Sequence, residues 1–362
     1  MIRTRPALDD IARYVPGRSA EAVAGERAVV DVVKLASNEA PFPPLPAAVA
    51  AITEAAGRLN RYPDDAALAL REDLAARYRV DPDQVLTANG SVELCRLALA
   101  ATCDPGDEVV FAWPSFEAYP VLAQQVGATI VRVPLRDHRH DLDAMADAIT
   151  ERTRLVFVCN PNNPTGTTIG RAAAEQLLER VPSDLLVVFD EAYREFVTSP
   201  DFPDGVELLR DHANIAVLRT FSKAYGLAAL RVGYAIARPD VIDALRKVRV
   251  PFTTNELAQV AARASLAADD EMRERVGEVV AERERVHEGL AEIGLDVVAS
   301  EANFVWLPIA EHAAVLGEYG ERAGVVFRAF PGVGVRITIG TPAENDRVLR
   351  VVRAATEDGA TG

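Results

Sequence analysis

Thr220-Phe221-Ser222-Lys223-Ala224-Tyr225-Gly226-Leu227-Ala228-Ala229-Leu230-Arg231 follows directly on Asn214-Ile215-Ala216-Val217-Leu218-Arg219, a short run that reads as a buried strand. Lys223 therefore lies on a polar loop just past a strand end, where open α/β sheets place their chemistry. A lysine amine there can form a Schiff base with an aldehyde cofactor. Thr220, Ser222 and Arg231 supply two hydroxyls and a guanidinium fork, a donor set suited to a phosphate. The plainer reading, a solvated lysine after a strand, describes most lysines. The rest of the chain decides between them.

The 362 residues exceed one ordinary domain and predict two, and a hydrophobic content of 49% is ample for packed cores. A net charge of -15 argues against nucleic acid or an anionic membrane as the main partner. Apolar runs are short and broken by charge, so no membrane-spanning helix is expected. The start, Met1-Ile2-Arg3-Thr4-Arg5-Pro6, is basic but lacks the apolar core of a signal peptide. Cys95, Cys103 and Cys159 show no CxxC spacing and read as buried free thiols, which fits a cytoplasmic location.

Outward from Lys223 the pattern alternates. Strand-like runs at 84–88, 108–112, 129–133, 154–159, 185–189, 215–219 and 231–237 are separated by helical patterns at 92–102, 114–126, 141–149 and 171–181. This predicts an α/β fold: a mostly parallel sheet flanked by helices, with strand C-termini on one edge. Residues 1–45 form an irregular arm with a strand-like run at 29–35 and a proline-rich Pro41-Phe42-Pro43-Pro44-Leu45-Pro46. Helices at 46–59 and 66–78 follow. After Pro251 the texture changes to long helices at 255–268 and 270–293, strands at 304–307, 325–328 and 335–339, and a closing helix at 344–355. The expected division is an arm (1–45) joining a smaller α+β domain (251–362), with a large domain at 46–250. Glu282-Arg283-Glu284-Arg285 reads as a solvated helix face.

Several polar turns follow strand ends. Asn89-Gly90-Ser91-Val92 opens a helix whose first N–H groups suit a phosphate, although many βα turns look alike. Asn160-Pro161-Asn162-Asn163-Pro164-Thr165-Gly166 is a stiff turn whose asparagines can aim amides at a ligand. In Leu185-Leu186-Val187-Val188-Phe189-Asp190-Glu191-Ala192-Tyr193 a carboxylate follows five apolar residues. Buried there, Asp190 needs a cationic partner, which a protonated pyridine nitrogen or a structural ion pair would provide. Tyr193 can reach the same place. Phe116, after Trp113-Pro114-Ser115, offers a face for a flat ring or packs in the core. His138 and His140 lack ligand-spaced partners and read as exposed, so no metal site is expected.

With these motifs in hand, the chain resembles the fold-type I pyridoxal phosphate-dependent aminotransferases of the class I/II group, from about Tyr14 to the last helix. Ser222-Lys223 with Arg231, Asn160 to Gly166, and Asp190-Glu191-Ala192-Tyr193 match in order and spacing. Tyr14-Val15-Pro16-Gly17, Leu35-Ala36-Ser37-Asn38-Glu39 and Arg61-Tyr62-Pro63-Asp64 are similar to the histidinol-phosphate aminotransferase subfamily. Gly90-Ser91-Val92-Glu93-Leu94-Cys95, Val158-Cys159-Asn160, Val250-Pro251-Phe252-Thr253 and Ala302-Asn303-Phe304-Val305-Trp306-Leu307 resemble its actinobacterial aromatic amino acid (phenylalanine) branch.

The resemblance implies pyridoxal 5′-phosphate as cofactor and a role for each matching residue. Lys223 would form the Schiff base and move the proton. Asp190 would pair with the pyridine nitrogen, and Tyr193 and Asn163 would hold the ring hydroxyl oxygen. Phe116 would stack on the ring. Ser91, Val92 through its amide, Thr220, Ser222 and Arg231 would hold the phosphate. Tyr62 would reach the phosphate of a neighbouring subunit, implying a homodimer. Arg336 would bind the substrate carboxylate bidentately, with Arg328 a second cation nearby and Asn38 and Tyr14 at the substrate entrance. Two departures stand out: Phe116 occupies a position where Tyr is frequent, and Val92 one where histidinol-phosphate enzymes often carry an acid.

The implied reaction is transfer of the amino group of an aromatic amino acid to 2-oxoglutarate, a step of amino-acid metabolism with ping-pong kinetics. Histidinol-phosphate transamination is the alternative, since Arg336 and Arg328 suit either anion. A decarboxylase or lyase on the same fold is a further rival, which Arg336 opposes if it grips the carboxylate. A cofactor-binding regulatory module would need a DNA-binding extension that the chain does not show.

Overall fold

A computed structural model describes residues 2–4, 8, 11 and 17–362. Among the described residues, the strands are β1 (Val33–Lys34), β2 (Val85–Ala88), β3 (Glu108–Trp113), β4 (Thr129–Pro134), β5 (Thr153–Cys159), β6 (Leu186–Asp190), β7 (Ile215–Thr220), β8 (Gly233–Ala237), β9 (Phe304–Leu307), β10 (Val325–Val326), β11 (Arg328–Phe330) and β12 (Gly334–Thr338). The seven-stranded sheet has the order β2-β8-β7-β6-β5-β3-β4. Neighbours from β7 to β4 run parallel. Every residue of β6 and β7 is buried, as expected of strands covered by helices on both faces. β8 runs antiparallel to both β7 and β2. The reason is local: no crossover helix separates it from β7, and the twelve-residue Lys223 loop simply turns the chain back.

Other differences from the sequence reading are equally local. The strand expected at 29–35 shrinks to β1, because Val30 is exposed and Asp31 takes a left-handed φ of 65°. The run 325–328 splits at Phe327, β10 pairing with β1 and β11 with β12. The helix expected from Pro114 begins only at Ala118, leaving Phe116 and Glu117 on the loop at the sheet edge. Helices Ala20–Arg27, Pro239–Lys247 and Ala313–Arg322 were not foreseen.

Two apolar cores flank the large sheet and a third lies under the antiparallel sheet β11-β12-β9. They do not part at residue 250. Helix Glu256–Ala267 buries Ala258, Ala261 and Ala262 in the large-sheet core that also holds Leu45 and Ala48. Helix Asp269–Glu292 spans both: Met272 joins the large core, and Val279, Val286 and Leu290 join the small one. Its charged run is not wholly solvated either. Arg283 is only 2% exposed, and its Nη1 donates to the carbonyls of Phe196 and Ala302.

Beneath the strand ends lies a buried ionic cluster. Glu191 accepts from Arg219 Nε and Nη2 at 2.9 and 2.7 Å, and from the Gly205 amide at 2.7 Å. Arg219 also donates to Asp204 at 2.8 Å and lies 4.8 Å from the Tyr78 ring. Burial pushes the Glu191 carboxyl up to about 7, against the pull of Arg219. Removing one partner of such a pair leaves an uncompensated charge. Arg219→Met is expected to lower unfolding free energy by about 3–5 kcal/mol, and adding Glu191→Gln to recover part of it, in urea titrations.

Candidate active site

The C-terminal edge of the large sheet faces β11 and β12 across a cavity of about 280 Å³. Into it come Ser91 and Val92 from the turn after β2, Phe116 after β3, and Asn163 after β5. Asp190 and Tyr193 enter from β6, and Thr220, Ser222, Lys223 and Arg231 from the loop after β7. Arg328 and Arg336 enter from β11 and β12, and Asn38 from the segment after β1. Residues expected to share a site from sequence positions up to 298 apart thus line one cavity. One does not: Tyr62 is 82% exposed on the outer surface, stacked on Phe252 at 4.6 Å. Tyr14 lies outside the described residues.

Lys223 reaches into the cavity, its Nζ donating to the Ser37 carbonyl at 3.1 Å and lying 5.8 Å from the Tyr193 ring centre. Burial, and then the positive charge of Arg336, push the amine down to about 7. An amine in that range is both a base and a nucleophile at neutral pH.

Beside it a concave group of donors gathers. The Ser222 amide donates to Thr220 Oγ1 at 3.1 Å, the Thr220 hydroxyl donates to Ser222 Oγ at 3.0 Å, and Arg231 Nη1 lies 3.5 Å from Ser222 Oγ. Helix Ser91–Thr102 points its N-terminus at the same place. Its free N–H groups and positive end favour an anion. Gly90 is required there: its φ is +84°, and a Cβ would come 2.5 Å from Arg231 Nη2.

Asp190 ends β6 and is buried. Its Oδ2 accepts from the Tyr119 hydroxyl at 2.8 Å, while Oδ1 has no hydrogen-bond partner among the described residues. Burial raises this carboxyl to about 6, with Tyr119, the Ala192 amide and Lys223 pulling the other way. A buried carboxylate with one idle oxygen is a costly arrangement unless a cationic donor meets it. Tyr119, fully buried and stacked on Phe157 at 4.4 Å, escaped the sequence reading. A Tyr at the second residue of a helix gives no signal of pointing back at a strand end. Cys159, paired in register with Asp190, also lines the cavity, and burial pushes its thiol up to about 12.

The opposite wall is cationic. Arg336 Nη2 donates to the Ala36 carbonyl at 2.7 Å and Nη1 to Asn163 Oδ1. Its guanidinium lies 5.4 Å from the Phe304 ring centre. Arg328 pairs with Glu117, a cavity residue that sequence reading passed over. Asn38 lines the cavity from its inner wall. It is 1% exposed with a left-handed φ of 53°. Its Nδ2 donates to the Tyr193 hydroxyl at 2.9 Å and its Oδ1 accepts from Thr338 at 3.1 Å. Burial holds the Tyr193 phenol well above its ordinary range.

His140, expected to be exposed, is buried. Its Nε2 meets Asn162 Oδ1 at 3.1 Å, and burial lowers its pKa to about 4, so it packs as a neutral ring supporting the asparagine turn. Cys95 is buried as expected, whereas Cys103 is half-buried. No helix among the described residues is long and apolar enough to cross a membrane, and no group of His, Cys, Asp and Glu among them is placed to hold a metal.

A strand-edge lysine, a buried carboxylate and an anion cradle on this α/β frame define a cofactor-dependent enzyme of the aminotransferase kind. The chain belongs to the class I and II aminotransferase family, whose model matches residues 30–352. It is 54% identical over 349 residues to an aromatic amino acid aminotransferase of Thermobifida fusca, covering 96% of each chain. In structure it resembles histidinol-phosphate aminotransferase from Sinorhizobium meliloti in complex with pyridoxal-5′-phosphate, with a TM-score of 0.91, 27% identity, and 99% and 98% of the two chains covered. Aspartate aminotransferase from Thermus thermophilus with maleate gives a TM-score of 0.83 at 25% identity, covering 98% of this chain and 100% of that one. The fold is therefore the fold type I of these transferases, and the family implies pyridoxal phosphate.

If Lys223 is poised as described, its labelling by an amine-reactive reagent in cofactor-stripped protein will rise with pH as the amine loses its proton. The midpoint should lie near 7 rather than near the ordinary lysine value of about 10.4, as read by peptide mass spectrometry across a pH series.

Proposed function

We propose that this chain binds pyridoxal 5′-phosphate in the cavity around Lys223 and transfers the amino group of an aromatic amino acid to 2-oxoglutarate, giving the aromatic 2-oxo acid and glutamate. The observation that carries the cofactor reading is the idle Oδ1 of buried Asp190, in the same cavity as Lys223 and the Ser91–Thr220–Ser222–Arg231 cradle. The name of the Thermobifida fusca relative supports the aromatic substrate.

When bound, pyridoxal phosphate supplies an electron sink for the pair left at the substrate Cα. The chain's own residues then have separable tasks. Thr220, Ser222, Arg231, the Ser91 hydroxyl and the Val92 amide would hold the phosphate. Asp190 would keep a proton on the ring nitrogen, and Tyr119 keeps that carboxylate oriented. Tyr193 and Asn163 would hold the ring's hydroxyl oxygen, and Phe116 would stack on the ring. Lys223, with its lowered pKa, takes the proton from the substrate Cα and returns it. Arg336 exchanges its Asn163 contact for the substrate carboxylate and so fixes the bond to be broken.

The same reading includes a homodimer in which Tyr62 of each subunit reaches the phosphate site of the other. In support, Tyr62 and Phe252 stack as an exposed apolar pair next to exposed Val250. Asp65 pins the two loops together by accepting from Arg249 at 2.7 Å and from the Phe252 amide. Free cysteines accord with work in the cytoplasm. Tyr14 remains a candidate for the substrate side. Histidinol phosphate is the second reading, favoured by the likeness to the Sinorhizobium meliloti structure.

The deciding assay is kcat/KM for phenylalanine against histidinol phosphate, each with 2-oxoglutarate. Phenylalanine should win, with glutamate formed mole for mole; the reverse order by orders of magnitude would transfer the chain to the second reading. Lys223→Ala should lower kcat at least about 10³-fold. Borohydride should fix the cofactor to the Lys223 peptide in the wild type and to no peptide in the variant. Tyr119→Phe, which removes one charge-assisted bond from Asp190, should weaken cofactor binding about tenfold by equilibrium dialysis.

A further inference from the structure

We propose that Glu117 sets the charge preference of the substrate pocket. It neutralises Arg328 while the substrate's anionic part carries one negative charge and releases it when the substrate brings two, as a phosphate monoester or as two carboxylates. The inference rests on the transamination reading and names a selectivity residue for it.

Arg328 and Arg336 are directly opposite each other on antiparallel β11 and β12. Directly paired residues project from the same face of a sheet, so two guanidiniums of like charge stand side by side. Both line the cavity, and Phe330, two residues beyond Arg328, lies 5.3 Å from one and 5.8 Å from the other. Arg336 is the inner one, buried and tied to Ala36 and Asn163. Arg328 is the outer one. Its Nη2 donates to both carboxylate oxygens of Glu117, at 2.9 and 2.8 Å.

Glu117 comes from the other side of the cavity, immediately after Phe116 and before helix Ala118–Val126. The pair therefore bridges the two sheets across the pocket. Of these three groups, two cations and one anion leave one net positive charge. That matches an amino acid whose only anionic group is its α-carboxylate. Without Glu117 the same wall would present two cations and favour a phosphate monoester or a dicarboxylate. A phosphate-bearing donor must displace Glu117 to reach Arg328, so the carboxylate discriminates by competition as well as by charge.

The same cavity must also accept 2-oxoglutarate, which carries two carboxylates. The geometry allows this because Glu117 is the more exposed partner, at 35% against 14% for Arg328, so water can take over its carboxylate when it swings away. Glu117 can turn to water while Arg328 takes the distal carboxylate, and the pair re-forms when an aromatic substrate returns. One hinge-like ion pair thus serves two substrates of different charge.

The test is steady-state kinetics of the purified holoenzyme with phenylalanine, histidinol phosphate and 2-oxoglutarate, comparing wild type with Glu117→Gln and Glu117→Asp. In Glu117→Gln the ratio of kcat/KM for histidinol phosphate over phenylalanine should rise roughly tenfold or more, carried by KM rather than kcat, and KM for 2-oxoglutarate should fall. Glu117→Asp keeps the charge and should stay near the wild-type ratio. Glu117→Ala replaces the Gln variant if the latter does not fold. An unchanged ratio in the uncharged variant overturns the proposal, as does an equal rise in Glu117→Asp. If the wild type moves no amino group from phenylalanine, the transamination reading fails first, before any variant is compared, and takes this inference with it.

Discussion

A carboxylate held out of water at the end of a central strand sets the terms for the rest of this structure. Asp190 sits where β5, β6 and β7 end together, so whatever balances its charge must lie at that edge. Tyr119 satisfies one oxygen, and no group among the described residues satisfies the other. The residue just after it, Glu191, turns to other partners, paired with Arg219 and accepting from the Gly205 amide. Adjacent acids at one strand end thus meet different surroundings, one closed within the fold and one lining the cavity. The closed pair anchors the strand end, and the open one defines the pocket.

The second sheet completes that pocket by reaching over the edge of the first. Tyr193 is the main link: it follows β6, packs edge-on against Phe304 of β9, and accepts from Asn38 beyond β1. Asn38 in turn is fixed by Thr338 at the end of β12. Arg336 makes a parallel link through Asn163 and Ala36. Each link is polar and buried, so each is geometrically demanding. The cost of leaving any of these groups unpaired holds the two sheets in one relation, with Lys223 on one side and the arginines on the other.

Much of this was legible in the chain, for a physical reason. Strands buried on both faces are short, wholly apolar runs, and polar residues directly after them stand out sharply. Lys223, Asp190, Asn163 and the Thr220–Ser222–Arg231 group each follow such a run, and all of them line the cavity. What the pattern concealed was any partnership that depends on a side chain's direction. Tyr119, Glu117 and His140 sit in stretches with no distinctive texture, yet one orients Asp190, one pairs with Arg328 and one supports Asn162. Arg283 looked solvated because its neighbours are charged, and only the packing of its helix on Phe196 and Ala302 buries it.

Periodicity and turn chemistry along the chain were thus enough for the α/β class, the strand-edge position of Lys223, and the acid and hydrogen-bond donors that line the cavity with it. These are local properties, carried by burial patterns of a few residues. Three-dimensional packing settled the antiparallel course of β8, the place where the cores divide, the burial of Asn38, and the pairing of Glu117 with Arg328. Each of those depends on which groups from distant segments meet once water is excluded, and an amino-acid pattern read along one dimension carries no record of that meeting.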